Sequence, residues 1–311
     1  MENVVIIGSG PAGLTAAIYS ARALLNPLVI AGTTPGGQLT QTSDIENYPG
    51  FQEPVGGFDL MTSFQKQAER FGTRTVYDNV SSVKLTSGCP HVIILEGGDK
   101  IQTHTVIIAT GASPMWLGLE SEKRLMTKGV SACATCDGAL PVFRDKPLVV
   151  GGGGDSACEE AMYLTRFGSV VYLVHRRDSL RASKIMADRV LAHPKIKPVW
   201  NSVVTDVLDV KQDKVTGVRL KNVKTGAETG LDCAGVFVAA GLIPNTELFK
   251  GILNMDDTGY IIPKQGASTN VPGVFVAGDC ADRVYRQAVT AAGMGCAAAI
   301  EAGRYLAARN E

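Results

Sequence analysis

Bond-making chemistry concentrates in one stretch, Ser131 to Gly138, which reads Ser-Ala-Cys-Ala-Thr-Cys-Asp-Gly. Cys133 and Cys136 are separated by two residues. A helical turn between them brings the sulfurs together, so the pair can alternate between dithiol and disulfide. Asp137 follows at once, a carboxyl group able to take up or return the proton that a neighbouring thiolate gains or loses in each cycle. The same spacing also serves zinc. Zinc takes four ligands, however, and the other cysteines (Cys89, Cys158, Cys233, Cys280, Cys296) and the histidines (His91, His104, His175, His193) are scattered, so no metal is expected. Those solitary cysteines are expected to be small buried hydrophobes.

A redox pair needs a source of electrons, and the elements around it read as nucleotide-binding units. Val4 to Ile7 is a continuous apolar run, as expected of a strand buried on both faces of a parallel sheet. Gly8-Ser9-Gly10-Pro11-Ala12-Gly13 comes next, then a helix from Leu14 to Ala23. Strand, glycine turn and helix in that order give the dinucleotide fingerprint its context: the backbone amides reach a pyrophosphate at the helix amino terminus. The acidic residue expected ~20 positions further on is missing. The second strand, Leu28 to Ile30, runs into Ala31-Gly32 instead, so ribose recognition there must use backbone or another side chain.

A turn-rich excursion, Gly36-Gly37-Gln38 and Asp44 to Gly50, is long enough to be functional. After it a helix is expected over Asp59 to Phe71, then short strands over Val80–Leu85, Val92–Leu95 and Thr105–Ala109. A second copy begins at Leu148-Val149-Val150, with Gly152-Gly153-Gly154-Asp155-Ser156-Ala157 and a helix from about Cys158 to Phe167. Downstream parts repeat too: a hydrophobic strand ending in Gly-x-x-Pro occurs at Gly111 to Pro114 and again at Gly241 to Pro244. This is an internal duplication. The two Gly-x-x-Pro segments make good hinges and domain boundaries, giving a discontinuous unit 1–114 plus 245–311 and an inserted unit 115–244. In the second copy the strand Val170 to Val174 ends in His175-Arg176-Arg177, with Arg181 beyond. Cations where an NAD site places a carboxylate are what a 2′-phosphate requires, which assigns NADPH to the middle unit. Gly278-Asp279, Arg286-Gln287-Ala288 and a small-residue helix from Val289 to Ala308 complete the first unit, where Asp279 could accept from sugar-like hydroxyls.

Length and composition agree with two filled cores: 311 residues, 45% apolar, with 30 basic and 30 acidic side chains in balance. No run of like charge suits nucleic acid. No apolar run approaches the roughly eighteen residues of a membrane span, and no signal peptide is readable. Seven cysteines with one close pair do not resemble a secreted framework. A soluble protein of the reducing cytosol, with no membrane partner, is expected.

Taken together, the chain resembles the low-molecular-weight thioredoxin reductases along essentially its whole length. The motifs that carry the likeness are Gly8 to Gly13, Gly37-Gln38, Asn47, Cys133 to Asp137, Gly152 to Ala157, His175 to Arg177, Gly278-Asp279 and Arg286 to Ala288. The resemblance implies an α/β fold with two Rossmann-like, three-layer ββα domains of the pyridine nucleotide-disulfide oxidoreductase type. It implies FAD in the discontinuous unit, held by Ser9 to Ala12, Gln38, Asn47, Val80, Asp279 and Arg286 to Ala288, with Gly111 and Gly278 in the same cradle. It further implies that Cys136 faces the flavin, Cys133 attacks the disulfide of thioredoxin and Asp137 handles the proton, in a homodimer. Because Cys136 lies only sixteen positions before Gly152, the disulfide and the nicotinamide ride on one unit, which is expected to swing on its hinges to present each in turn. A dithiol oxidase of the same fold, a reductase of another thioredoxin-like or peroxide-linked client, a ferredoxin–NADP reductase and a nucleotide-binding regulatory module are the competing readings.

Overall fold

The computed structural model describes residues 1–42 and 44–309. Its chain divides into two compact units, Met1–Ser113 with Ile243–Glu311, and Pro114–Leu242. Both connecting segments are extended, as strands Ala112–Pro114 and Leu242–Pro244.

In the first unit a seven-stranded sheet runs Arg74–Val76, Leu28–Ile30, Glu2–Ile7, Lys100–Ile108, His91–Leu95, Val80–Lys84, with Val274–Val276 also paired to Lys100–Ile108. The last-named long strand does two jobs. Its first half pairs antiparallel with His91–Leu95, while its second half lies parallel to both Glu2–Ile7 and Val274–Val276. The apolar run Val4 to Ile7 is at most 4% exposed, and burial of each such side chain stabilises by ~1.5–3 kcal/mol. On one face Val4, Ile6 and Ile107 pack under helices Pro11–Arg22 and Ala288–Ala307; on the other Val5, Ile7 and Ile108 pack with Ile93, Phe249 and Leu253. Close helix contact explains the small residues of Ala288–Ala307: a Cβ at Gly295 would run into the Ala12 carbonyl.

The second unit repeats the plan. A parallel five-stranded sheet is ordered Val130–Ser131, Gly235–Val238, Pro147–Gly151, Val170–Val174, Ile196–Val199. Helices Asp155–Leu164 and Lys184–Ala192 lie on one face and the antiparallel sheet Ser202–Leu208, Gly217–Asn222, Glu228–Asp232 on the other.

Several boundaries differ from the sequence expectation. The helix expected from Leu14 begins at Pro11, because proline is tolerated where the helix's first amides have no partner. The second starts at Asp155 rather than Cys158, for the same open-ended first turn. The strand expected from Thr105 begins at Lys100, since its polar residues pair with the hairpin. Arg74–Val76 is an additional edge strand. Of the five free cysteines, Cys158, Cys233 and Cys280 are buried, but Cys89 and Cys296 are only half-buried.

Candidate active site

Cys133 and Cys136 form a disulfide, with Cα atoms 5.3 Å apart. Cys133 precedes the short helix Ala134–Asp137 and its sulfur accepts from the Cys136 amide at 3.2 Å. Gly138 lets the turn pack tightly, since a Cβ there would strike Leu164 at 2.8 Å and press on the Ala134 carbonyl. Asp137 is half-buried on the same turn. Burial raises its pKa, and a hydrogen bond from Ser131 opposes the rise. Its carboxyl group therefore holds a proton more readily than a free aspartate.

In the first unit the glycine turn follows strand Glu2–Ile7, one of five parallel strands of the sheet. Gly8 has φ +112°, and a Cβ there would overlap the Ala109 carbonyl; a Cβ at Gly13 would overlap the Gly8 carbonyl. Gly10 is different. It caps helix Pro11–Arg22 with no side-chain hydrogen bond to the helix amides, and a Cβ would meet nothing within 4 Å. The Ser9 hydroxyl donates to the Ala31 carbonyl at 3.1 Å and accepts from the Gly36 amide at 3.0 Å. Ser9 thus pins the excursion, leaving Gly37 against Gly10. Gln38 donates to the Ala112 carbonyl, beside Gly111. Asn47 donates to Gln287 at 3.3 Å across 240 residues of sequence. Gly278, at φ +78°, lies against Ala12. Asp279 has its pKa pushed up to about 6, by burial first and by Asp282 second, with Arg286 opposing. Arg286 sits at φ +50°, and its amide donates to Asp282 at 3.1 Å. Ala288 begins the last helix directly after Gln287.

Two neighbours of these residues were not legible in the sequence. Asn79, immediately before Val80, accepts from the Thr33 amide at 3.2 Å and donates to Glu96 at 3.0 Å, standing where the second strand's acidic residue is missing. Tyr260 is buried beside Arg286 and Asp279.

In the second unit a Cβ at Gly152 would strike Ala239 and Ala157, and one at Gly153 would enter the His175 ring. Gly154 repeats Gly10: it caps helix Asp155–Leu164 without a side-chain bond and faces open space. The Arg181 amide donates to the Gly153 carbonyl at 2.7 Å, which docks the arginine segment on the glycine turn. Asp155 accepts from the Ser183 amide and hydroxyl, both at 2.9 Å, so its carboxylate holds that segment in place. Ser156 and Ala157 lie in the first helical turn. His175 is buried, and burial, then Arg181, Arg177 and Arg176, push its pKa down, so the imidazole is neutral at pH 7. Among the described residues, Arg176, Arg177 and Arg181 pair with no carboxylate, whereas nearby Asp178 is taken by Lys224 at 2.8 Å.

Known proteins resemble this chain along nearly its whole length. The family described as pyridine nucleotide-disulphide oxidoreductase matches residues 2–295. A thioredoxin reductase from Rickettsia conorii is 52% identical over 306 residues, covering 98% of each chain. One from Streptomyces clavuligerus is 51% identical over 310 residues, covering 99% of this chain and 95% of its own. The chain belongs to the thioredoxin reductase family. Solved thioredoxin reductases share its fold: that from Streptococcus pyogenes has a TM-score of 0.93 at 42% identity, covering 99% of both chains, and that from Giardia duodenalis 0.92 at 42%, covering 98% of both. Thioredoxin reductases of this kind use FAD and NADPH. Both groups fit the residues present: two uncapped helix ends behind open glycines suit pyrophosphates. The arginines, which pair with no carboxylate among the described residues, suit the extra phosphate of NADPH.

Proposed function

We propose that this protein is a thioredoxin-disulfide reductase, with FAD in the first unit, NADPH in the second and oxidised thioredoxin as its partner. The observation that carries the reading is the Cys133–Cys136 disulfide on the unit that also bears the second glycine turn and the arginine cluster. When bound, NADPH supplies a hydride and FAD relays its two electrons. Gly8 to Gly13, Gly37, Gln38, Asn47, Val80, Gly111, Gly278, Asp279 and Arg286 to Ala288 hold FAD. Gly152, Gly154 to Ala157, His175 to Arg177 and Arg181 hold NADPH.

Breaking the Cys133–Cys136 bond with two electrons leaves two sulfurs that need protons, and Asp137 delivers and recovers one of them. The Cys133 thiolate then attacks a thioredoxin disulfide, forming an intermolecular S–S bond and releasing one thioredoxin thiolate. Attack by Cys136 on Cys133 restores the internal disulfide and frees the second thioredoxin thiolate, which takes a proton. A sulfur pair that serves both a bound flavin and a protein disulfide calls for a swing of the second unit about the connections at 113/114 and 242/243. The working form is a cytoplasmic homodimer; five cysteines without disulfides suit a reducing compartment. Among the described residues no helix is long and apolar enough to cross a membrane. The test is anaerobic addition of NADPH, which should bleach the flavin, followed by thioredoxin with a chromogenic disulfide, which should turn over. Bleaching without thioredoxin-dependent turnover would overturn the reading in favour of a dithiol oxidase or another disulfide client.

A further inference from the structure

Asp137 must carry a proton at one point of the cycle and lack it at another, so its half-buried surroundings have to satisfy both states. Among the described residues one side chain hydrogen-bonds to its carboxyl group. Ser131 is 6% exposed at the end of strand Val130–Ser131. Its Oγ lies 2.5 Å from Asp137 Oδ2, 3.0 Å from the Cys133 amide nitrogen and 3.3 Å from the Cys133 carbonyl oxygen.

A hydroxyl has one proton to donate and two lone pairs. The Cys133 amide takes one lone pair whatever the state of the acid. With Asp137 ionised, the hydroxyl proton points at Oδ2 in a charge-assisted bond, for which 2.5 Å is a fitting length. With Asp137 protonated on Oδ2, that proton is donated to the second lone pair of Oγ, and the hydroxyl proton turns to the Cys133 carbonyl. Rotation about one C–O bond therefore serves both states, with no heavy atom moving. Both states remain tied to the backbone of Cys133, whose sulfur caps the redox turn.

We propose that Ser131 is a positioning residue whose hydroxyl holds Asp137 Oδ2 against the redox turn and lets the carboxyl group exchange its proton without leaving an unpaired polar atom. This deepens the proposed role of Asp137 as the proton carrier and rests on it. The helix packed on the redox turn, Asp155–Leu164, carries Asp155, Glu159, Glu160 and Tyr163, yet burial and the Ser131 bond are what act on the Asp137 carboxyl. Removing the hydroxyl leaves burial unopposed, and the acid should hold its proton to higher pH.

The test compares FAD-loaded wild type with Ser131→Ala, Ser131→Thr and Asp137→Asn. The ionisation of Asp137 is followed by carbon-13 NMR of labelled aspartate, with Asp137→Asn identifying the signal, and the pH profile of thioredoxin reduction is recorded alongside. Because the hydroxyl bonds to the acid in both states, the variant loses only the excess of the charge-assisted bond over the neutral one, about 1 kcal/mol, and the acid's ionisation constant should fall by roughly five- to tenfold in Ser131→Ala. The pH profile should move to higher pH with it, and Ser131→Thr, which keeps the hydroxyl, should stay near wild type. If Asp137→Asn alters the profile but Ser131→Ala titrates like wild type, the Ser131 inference is wrong and the Asp137 reading stands. If Asp137→Asn leaves the profile unchanged, both fall.

Discussion

Replacing Arg176 and Arg177 by alanine should convert a strong preference for NADPH into near-indifference between NADPH and NADH. Both guanidinium groups are exposed at the end of strand Val170–Val174 and meet no protein carboxylate among the described residues. His175 adds no charge to the site, since burial and the arginines hold its imidazole neutral. An exposed ion pair contributes up to ~1 kcal/mol, and a hydrogen bond between charged groups ~1.5–3 kcal/mol. Taking about 1–2 kcal/mol for each arginine against a partly solvated phosphate, the double variant loses about 2–4 kcal/mol. At about 1.4 kcal/mol per decade this is on the order of a hundredfold in NADPH affinity. NADH lacks the phosphate and should bind the variant as it binds wild type. Steady-state KM values for both nucleotides with saturating thioredoxin measure the effect. Wild-type NADPH affinity should also fall more steeply with added salt than that of the variant. An equal weakening of NADH and NADPH would refute the 2′-phosphate assignment, and so would an unchanged KM for NADPH.

Two further outcomes follow from carboxyl groups, one buried and one half-buried. Glu122 is fully buried and accepts from the amides of Leu117, Gly118 and Leu119 at 2.8, 2.9 and 3.3 Å, just past the first connection. Glu122→Ala should therefore destabilise by about 3–5 kcal/mol in urea unfolding, and Glu122→Gln by less; a loss under about 1 kcal/mol would show that these bonds do not hold the loop. Asp279 has a folded pKa of about 6 against an ordinary 3.8, so its contribution to apoprotein stability is present below the ordinary value and lost as pH rises through about 6. Relative to Asp279→Asn, the wild-type apoprotein should lose on the order of 2–3 kcal/mol between pH 4 and pH 7, and parallel stability curves for the two would contradict the shift.

What could be read from the sequence was local in the chain. Cys133, Cys136 and Asp137 share one short turn, and each glycine fingerprint with its strand and helix spans a few tens of residues, so composition and order sufficed. The His175-Arg176-Arg177 run was legible because it directly follows a strand whose position relative to the fingerprint is set by the fold. Contacts made through space were not. Ser131 meets Asp137 only because the strand end and the redox turn fold back on each other, a contact that neither a continuous helix nor a continuous strand would make over six residues. Asn47 meets Gln287, and Asn79 reaches Thr33, across loops that emerge from the same ends of the sheet. Ser9 and Asp155 were expected among the nucleotide-binding residues, and what the sequence did not show is that each side chain fixes the neighbouring loop, because a cradle of backbone amides must itself be held open.

Counting electrons tests the redox pair most directly. In anaerobic dithionite titration, FAD-loaded wild type should consume one two-electron equivalent for the flavin and another for the Cys133–Cys136 bond, while Cys133→Ser should consume only the first. Equal uptake by the two proteins would place that disulfide outside the electron path and contradict the reductase chemistry proposed for this chain.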